Sequence, residues 1–464
     1  MSIAAVILAA GQGTRMKSAL PKVLHQAAGL PLVAYPLRAA QALGCTRLVV
    51  VVGHGADQVK AAVQAVDTQT VFAVQEQQLG TANAVACAMS AVGQVAQVLI
   101  LYGDCPLLTS NTLTRLMHAV QQQGVKLGFI TSVVADPTGY GRIVRSAAGT
   151  VLRNVEHKDA TPEQAAITEV NAGIYLVDRA FLQVALSRVG TGNSQREFYL
   201  TDIVEMAAQQ GGVAAVQASP GEMLGVNNRA DLSAVETVLW ERNRHAALVH
   251  GVTMRDAAST FIESTVTLEP DVLLGPGVQL GGRTTVRSGA RVDGPTVVVD
   301  SVVEGGAHIK AFSHLEGATV GPNAVVGPYA RLRPDAVLEA DVHVGNFVEV
   351  KKSTLKRGAK ANHLTYLGDA TVGEKSNVGA GTITCNYDGY GKYQTTIGRD
   401  VFIGSDSVLV APLTIGDGAY VAAGSVVTNA VPPNALALGR ARQVNKDGRA
   451  EQVRAAARQT AAKP

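Results

Sequence analysis

Two rhythms of apolar and polar positions divide this chain. Up to about residue 228, short apolar runs alternate with helical patterns. The runs "AAVILAA" (4–10), "LVVVVGH" (48–54), "VLILYGD" (98–104) and "AGIYLV" (172–177) predict buried strands. "PLVAYPLRAAQALG" (31–44) and "NTLTRLMHAVQQQG" (111–124) predict helices, each closed by a glycine. Such alternation implies a largely parallel sheet covered on both faces, with ligands at the carboxyl ends of its strands. From about residue 252 the rhythm becomes a period of six. Val266, Val272 and Val278 begin it, Val286 and Val292 continue it, and Val320, Val326, Leu332, Leu338, Val344 and Val350 make an unbroken run. After an interruption, Ile397, Ile403, Leu409, Ile415, Val421 and Val427 resume it. Six is not a helical period; it predicts short strands stacked coil on coil.

Between the two rhythms, Asn228 and Asp231 stand at capping-box spacing ahead of an apolar stripe of Leu232, Val235, Leu239 and Trp240. The expected partition is therefore a first domain over 1–228, a linker helix over 229–249 and a repeat domain over 250–464. In the family with this hexapeptide repeat, three hexapeptides make one triangular, left-handed coil. Val266 to Val427 leaves room for roughly nine coils, a prism on the order of 40 Å long. "TCNYDGYGKYQTT" (384–396) breaks the period and is expected to protrude as a loop, where function is often carried.

Composition narrows the classes. Of the 464 residues, 47% are hydrophobic and 17% charged, as in a folded globular protein. A net charge of +3 is too small to indicate nucleic acid or an anionic membrane as partner. No apolar run reaches the roughly 18 residues of a membrane span, and the first one lacks a preceding Lys or Arg, so no signal peptide is read. Cys45, Cys87, Cys105 and Cys385 form no CxxC pair. They read as small buried hydrophobes in a reducing compartment, and the cytoplasm is expected.

The first strand ends at Gly11, and Gly13, Arg15, Pro21 and Lys22 follow. Met16 stands where a dinucleotide fingerprint needs its third glycine, and no Gly-Lys-Ser/Thr closes a P-loop. What remains is a turn whose N–H groups can approach an anion, helped by two cations, or an ordinary β–α turn with solvated cations.

Further segments decide the resemblance. They are "LAAGQGTRM" with "LPKVLH", "QEQQLGTANAV" (75–85), "LYGDCPLL" (101–108), "PTGYGRI" (137–143), "VEHKDA" (155–160), "EVNAGIYL" (169–176) and "GVNNR" (225–229). The second half adds "ARLRPDA" (330–336), "VGNFVEVKKS" (344–353), "KANHLTYLGDA" (360–370) and "GAGTITCNYDG" (379–389). Together they resemble, over nearly the whole chain, the bacterial family that joins an N-acetylglucosamine-1-phosphate uridyltransferase to a glucosamine-1-phosphate acetyltransferase. The resemblance implies a Rossmann-like α/β nucleotidyltransferase followed by a left-handed parallel β-helix. It also implies acetylation of glucosamine 1-phosphate from acetyl-CoA, then uridylyl transfer from UTP to give UDP-N-acetylglucosamine and pyrophosphate, with Mg²⁺ and a homotrimer.

Residue by residue, the resemblance implies that Leu8, Ala9, Ala10 and Gly11 line the nucleotide pocket. Arg15 and Lys22 would face the triphosphate and carry catalysis by charge neutralisation. Gln75, Gly80 and Thr81 would read uracil, and Tyr102 and Gly103 would lead to Asp104, a metal ligand together with Asn227. Gly141, Glu156 and Asn171 would contact the sugar. In the second half His363 would be the base, with Arg333, Lys351, Tyr366 and Asn377 gripping the sugar phosphate. Ala380, Asn386, Tyr387, Ser405, Ala423 and Arg440 would contact acetyl-CoA, Ser405 at the oxyanion. Cys105 reads as a spacer, and Lys356, Arg357 and Lys360 as a solvated basic face. The tail from Arg440 holds seven Lys/Arg, suited to CoA phosphates or simply disordered beyond about 450. Asn83, Ala84 and Gly439 depart from the pattern without touching a mapped catalytic role. Two rival readings stay open: a single-activity pyrophosphorylase whose β-helix only assembles or regulates, and another sugar's acyltransferase with a nucleotide-binding first domain.

Overall fold

The computed structural model describes residues 2–461, which fall into two compact units. The first comprises residues up to 245 together with 262–265. Its sheet runs in the order Ala214–Gln217, Leu127–Val133, Glu169–Asp178, Gln97–Tyr102, Ile3–Leu8, Arg47–Val52, Val71–Val74. Alternation along Ile3–Leu8 sends Ala5 and Ile7 to one face, under Leu37, Val59, Val63 and Leu116. Ala4 and Val6 point to the other, under Val85, Leu182 and Ile203. Both faces are thus dry, which is why the strand is apolar at every position.

The sheet departs from the expected parallel order at one strand. Glu169–Asp178 runs antiparallel to both Gln97–Tyr102 and Leu127–Val133, and an antiparallel hairpin of Arg142–Arg145 and Val151–Val155 joins it at Arg142. The helix Arg229–Val249 follows. Asn228 Oδ1 accepts from the Ala230 and Asp231 N–H groups at 2.8 and 3.0 Å, while Asp231 accepts from the Asn227 N–H at 2.9 Å. Leu232, Val235 and Leu239 bury against Met16, Leu32 and Leu107 of the first unit. No helix among the described residues is long and apolar enough to cross a membrane.

The second unit is a left-handed parallel β-helix whose coils build three sheets of 11, 10 and 9 strands. The inward positions from Val286 onward are the expected aliphatics, essentially without solvent contact. The start of the series is corrected. Val272 and Val278 are fully buried, but Val266 is only half-buried, and the residues in phase with Val286 and Val292 are Leu268, Leu274 and Leu280, two places further on. The gaps in the series are filled by Val298, Val303, Ile309 and Leu315, and by Leu355, Ala361, Leu367, Val372 and Val378.

After the first coil, length varies at one corner only. From Leu274 onward, steps from the first sheet to the second (Val326 to Leu332) and from the third to the first (Val320 to Val326) are six residues, whereas the first coil takes eight from Met254 to Ile262. From the second sheet to the third they are five at Val298 to Val303, Leu315 to Val320, Val350 to Leu355 and Leu367 to Val372. They are thirteen at Thr384 to Ile397. That longest step holds the loop. Ile383–Cys385 still continues the second sheet, so the loop begins at Asn386 and not at Thr384. A bridge between Tyr387 and Lys392 closes it, and Tyr390 at its tip is 98% exposed. The tail past 450 is helical, Arg449–Ala461, with no buried residue; Lys463 lies outside the described residues.

Candidate functional site

The strands Ile3–Leu8 and Gln97–Tyr102 lie side by side and end together, with Leu8 opposite Tyr102. Two adjoining cavities of about 360 and 440 Å³ open there and share Tyr102 and Asp104. Leu8, Ala9, Ala10, Gly11, Lys22, Gln75, Gly80 and Thr81 line the smaller. Arg15, Gly141, Glu156, Asn171 and Asn227 line the larger. Gly103 sits behind them, its N–H on the Leu8 carbonyl at 2.9 Å. Gly13, at φ +64°, lets the turn lie against Lys22; a Cβ there would fall 2.4 Å from the Lys22 Cβ.

Charge converges on two oxygens. Lys22 Nζ pairs with Asp104 Oδ2, and Arg15 Nη2 donates to Asn227 Oδ1 at 2.9 Å. The Asp104 carbonyl accepts from the Val226 N–H at 2.9 Å, which ties the Asn227 loop to the strand end. The Cys105 thiol lies 3.6 Å from Asp104 Oδ1, and burial with that carboxylate pushes its pKa up, so it stays a poorly reactive thiol. In the larger cavity Glu156 accepts from Asn154 Nδ2 at 3.2 Å and from the Thr201 hydroxyl at 2.9 Å. Asn171 donates to the Tyr175 hydroxyl at 2.6 Å. Burial, then Glu156, Glu205 and Asp159, raise the neighbouring Asp202 to about 6.

Several contributors escape a reading of the sequence. Gln78 Nε2 holds the Ala10 carbonyl at 2.7 Å, pinning the turn that follows the first strand. Arg142, only 1% exposed, donates to the Tyr140 and Ala165 carbonyls and contacts His157 Nδ1 at 3.2 Å. It thereby braces the turn that carries Gly141. Nothing in "GYGRI" separates such a buried arginine from a solvated one. Asn83 bonds Gln75 at 2.8 Å and Ala84 lines the smaller cavity, so both lie beside residues expected to read the base.

The second-half residues gather on the second sheet of the β-helix and its two corners. Arg333 and Lys351 share one outward column, and Arg333 Nη1 meets Glu349 at 2.9 Å. The Tyr366 ring lies across Gly368, where a Cβ would sit 2.3 Å from the phenol oxygen. At the corner toward the third sheet, Asp369 meets Lys351 at 3.6 Å and Lys352 at 3.8 Å, and accepts from Asn386 Nδ2 at 2.5 Å. Asn386 is therefore the buried root of the loop, while Tyr387 is exposed. Lys392, unremarked in the sequence, faces Lys351, which lowers its pKa.

His363 occupies the opposite corner, with Nδ1 2.9 Å from Asn346 Oδ1. Ala380, Ser405 and Ala423 follow it at that corner on successive coils, linked by N–H bonds from Gly381 to Leu364, Asp406 to Ala380 and Gly424 to Ser405 at 3.1, 2.7 and 2.8 Å. Asn377 pairs with Lys360 in the first sheet, whereas Arg333, Lys351 and Tyr366 lie on the second. Arg440 is exposed beyond the last coil. Lys356 pairs with Glu339 at 2.7 Å, in keeping with a solvated basic face.

Residues 5–164 match the MobA-like NTP transferase domain, and residues 394–429 the bacterial transferase hexapeptide (six repeats). Three relatives carry the name Bifunctional protein GlmU. That of Sorangium cellulosum is 50% identical over 99% of this chain and 98% of its own length. That of Anaeromyxobacter sp. is 51% identical over 96% and 92%, and that of Burkholderia pseudomallei 50% over 96% and 97%.

Proposed function

The chain belongs to the bifunctional GlmU family, and from that premise we propose how its two sites divide the work. It is a bifunctional transferase, an N-acetyltransferase acting on glucosamine 1-phosphate and a uridyltransferase that forms UDP-N-acetylglucosamine and pyrophosphate. The observation that supports our assignment best is convergence: Leu8–Gly11, Arg15, Lys22, Gln75, Asp104, Glu156, Asn171 and Asn227, spread over more than 200 residues of sequence, line one pair of joined cavities.

In that cleft UTP lies against Leu8–Gly11 with its base at Gln75, and the sugar phosphate lies by Gly141, Glu156 and Asn171. A phosphate oxygen of the sugar attacks the α-phosphorus in line, and the bond to the bridging oxygen breaks to release pyrophosphate. Arg15 and Lys22 neutralise the charge that accumulates. Asp104 and Asn227 fit a hard divalent ion. Their oxygens are aimed into the cleft, each with a side-chain cation on it. Two protein oxygens would hold such an ion and leave its remaining positions to phosphates and water. Mg²⁺ bound there supplies further charge neutralisation on the phosphates.

At the other site His363 donates Nδ1–H to Asn346, which leaves the Nε2 lone pair for the amine proton of glucosamine 1-phosphate. The freed nitrogen attacks the acetyl carbonyl, and the thiolate of CoA leaves. Ser405, on the corner column above His363, faces the oxyanion. Acetyl-CoA runs along that column. His363 and the Lys351–Asn386 cluster lie on opposite sides of Tyr366–Gly368, about 10 Å of strand. A homotrimer, in which one copy's loop reaches the next copy's His363 corner, joins the two halves of the site.

The test is an assay containing glucosamine 1-phosphate, acetyl-CoA, UTP and Mg²⁺, with each omitted in turn. Omitting UTP or chelating the metal with EDTA should stop pyrophosphate release and spare CoA release. Equal loss of both would move the metal out of the Asp104 site.

A further inference from the structure

We infer that Asn83 is a positioning residue that makes the base subsite choose uracil over cytosine. The inference rests on the uridylyl-transfer reading of the cleft and extends it to a residue outside the mapped set. Gln75 is buried where Val71–Val74 ends, with its main-chain N–H on the Val52 carbonyl at 2.9 Å. Its side-chain nitrogen is fixed by chemistry. Nε2 donates to the Gly80 carbonyl at 3.2 Å, and a carbonyl can only accept. The second hydrogen of Nε2 goes to Asn83 Oδ1 at 2.8 Å.

Both hydrogens are therefore spent on the protein. What Gln75 has left for a ligand is Oε1, an acceptor with no partner among the described residues, in a side chain that lines the smaller cavity. Uracil offers an N3–H to such an acceptor. Cytosine has a lone pair at N3, so two acceptors would face each other. The choice of base thus depends on which way one amide points. Asn83, in the first turn of Thr81–Ala88, supplies one of the two bonds that hold it. Without Asn83, one Nε2 hydrogen is left buried and unpaired. Rotation of the amide then becomes accessible, and it turns the NH₂ group toward the base, where it can donate to cytosine N3.

The experiment measures uridylyl and cytidylyl transfer by the full chain, with UTP or CTP, saturating N-acetylglucosamine 1-phosphate and Mg²⁺. Wild type should prefer UTP strongly. Asn83→Ala should lower the ratio of the two kcat/KM values by about tenfold, with KM rising for UTP and falling for CTP while kcat for UTP holds. Asn83→Asp keeps an acceptor in the same place and should keep the ratio. A residue that only supports the fold would weaken both nucleotides together and leave the ratio untouched. Should Asn83→Ala not fold, Asn83→Leu, of similar shape and without an acceptor, takes its place. An unchanged ratio in the apolar variant, an equal loss in Asn83→Asp, or a wild type indifferent to the base overturns the inference. A wild type inactive with UTP would instead overturn the uridylyl-transfer reading itself.

Discussion

Asp104 belongs to the first unit and His363 to the second, so their removal should separate the two reactions. Asp104→Ala is expected to lower pyrophosphate release about a hundredfold or more while CoA release stays near wild type. His363→Ala should lower acetylation by about 10²–10⁴-fold, and supplied N-acetylglucosamine 1-phosphate should restore UDP-sugar output. Collapse of both activities in either folded variant would contradict the two-site assignment. Asp202 gives a test by pH. Burial and three nearby carboxylates raise it from 3.8 to about 6, so the folded protein holds this proton more tightly than the unfolded chain. Its stabilising contribution is full below about pH 3.8 and is lost as pH rises through about 6. Asp202→Asn, which never ionises, should therefore gain thermal stability relative to wild type as pH goes from about 4.5 to about 7.5. A constant difference between their melting curves would refute the assignment. The place of Asp104 in the cleft was legible because it ends an apolar run inside a distinctive motif. Asn83 was not, because its role is a bond to a neighbour's amide, which no spacing rule encodes.

The β-helix was legible at the level of the element because each coil repeats the same inward aliphatic position. Its gaps were not, since a step of five at one corner moves the series out of phase while the burial continues. The same limit applies to direction in the first sheet. Glu169–Asp178 is buried on both faces, and an apolar run looks alike whether its strand is parallel or antiparallel. Inward packing can be tested at Leu332, which is fully buried between Leu315 and Val350 of the adjacent coils. Stacked coils cannot close around a lost side chain, so Leu332→Ala should cost about 3 kcal/mol. Because each coil touches only its neighbours, uridylyl transfer should be unaffected. Denaturant titration with an assay of both activities would detect a smaller cost or a shared loss.

At the scale of the whole molecule, a site divided between copies makes a prediction that no single chain can satisfy. Mixing inactive His363→Ala and Tyr387→Ala chains, denatured and refolded together, should restore part of the acetylation if one trimer site draws on both. Absence of rescue, or a monomer in sedimentation that acetylates at full rate, would sink the shared site. The corner between the second and third sheets has a consequence of its own. Past the first coil, two edges of the β-helix keep strict time, six residues per step, and the third alone accepts steps of four, five, six or thirteen. It is the edge at which the sequence can grow or shrink without re-registering the rest. The 386–394 loop is in this sense a guest at a permissive seam, and a foreign peptide grafted at the same seam, beside Gly317 for instance, would inherit a ready-made rigid display.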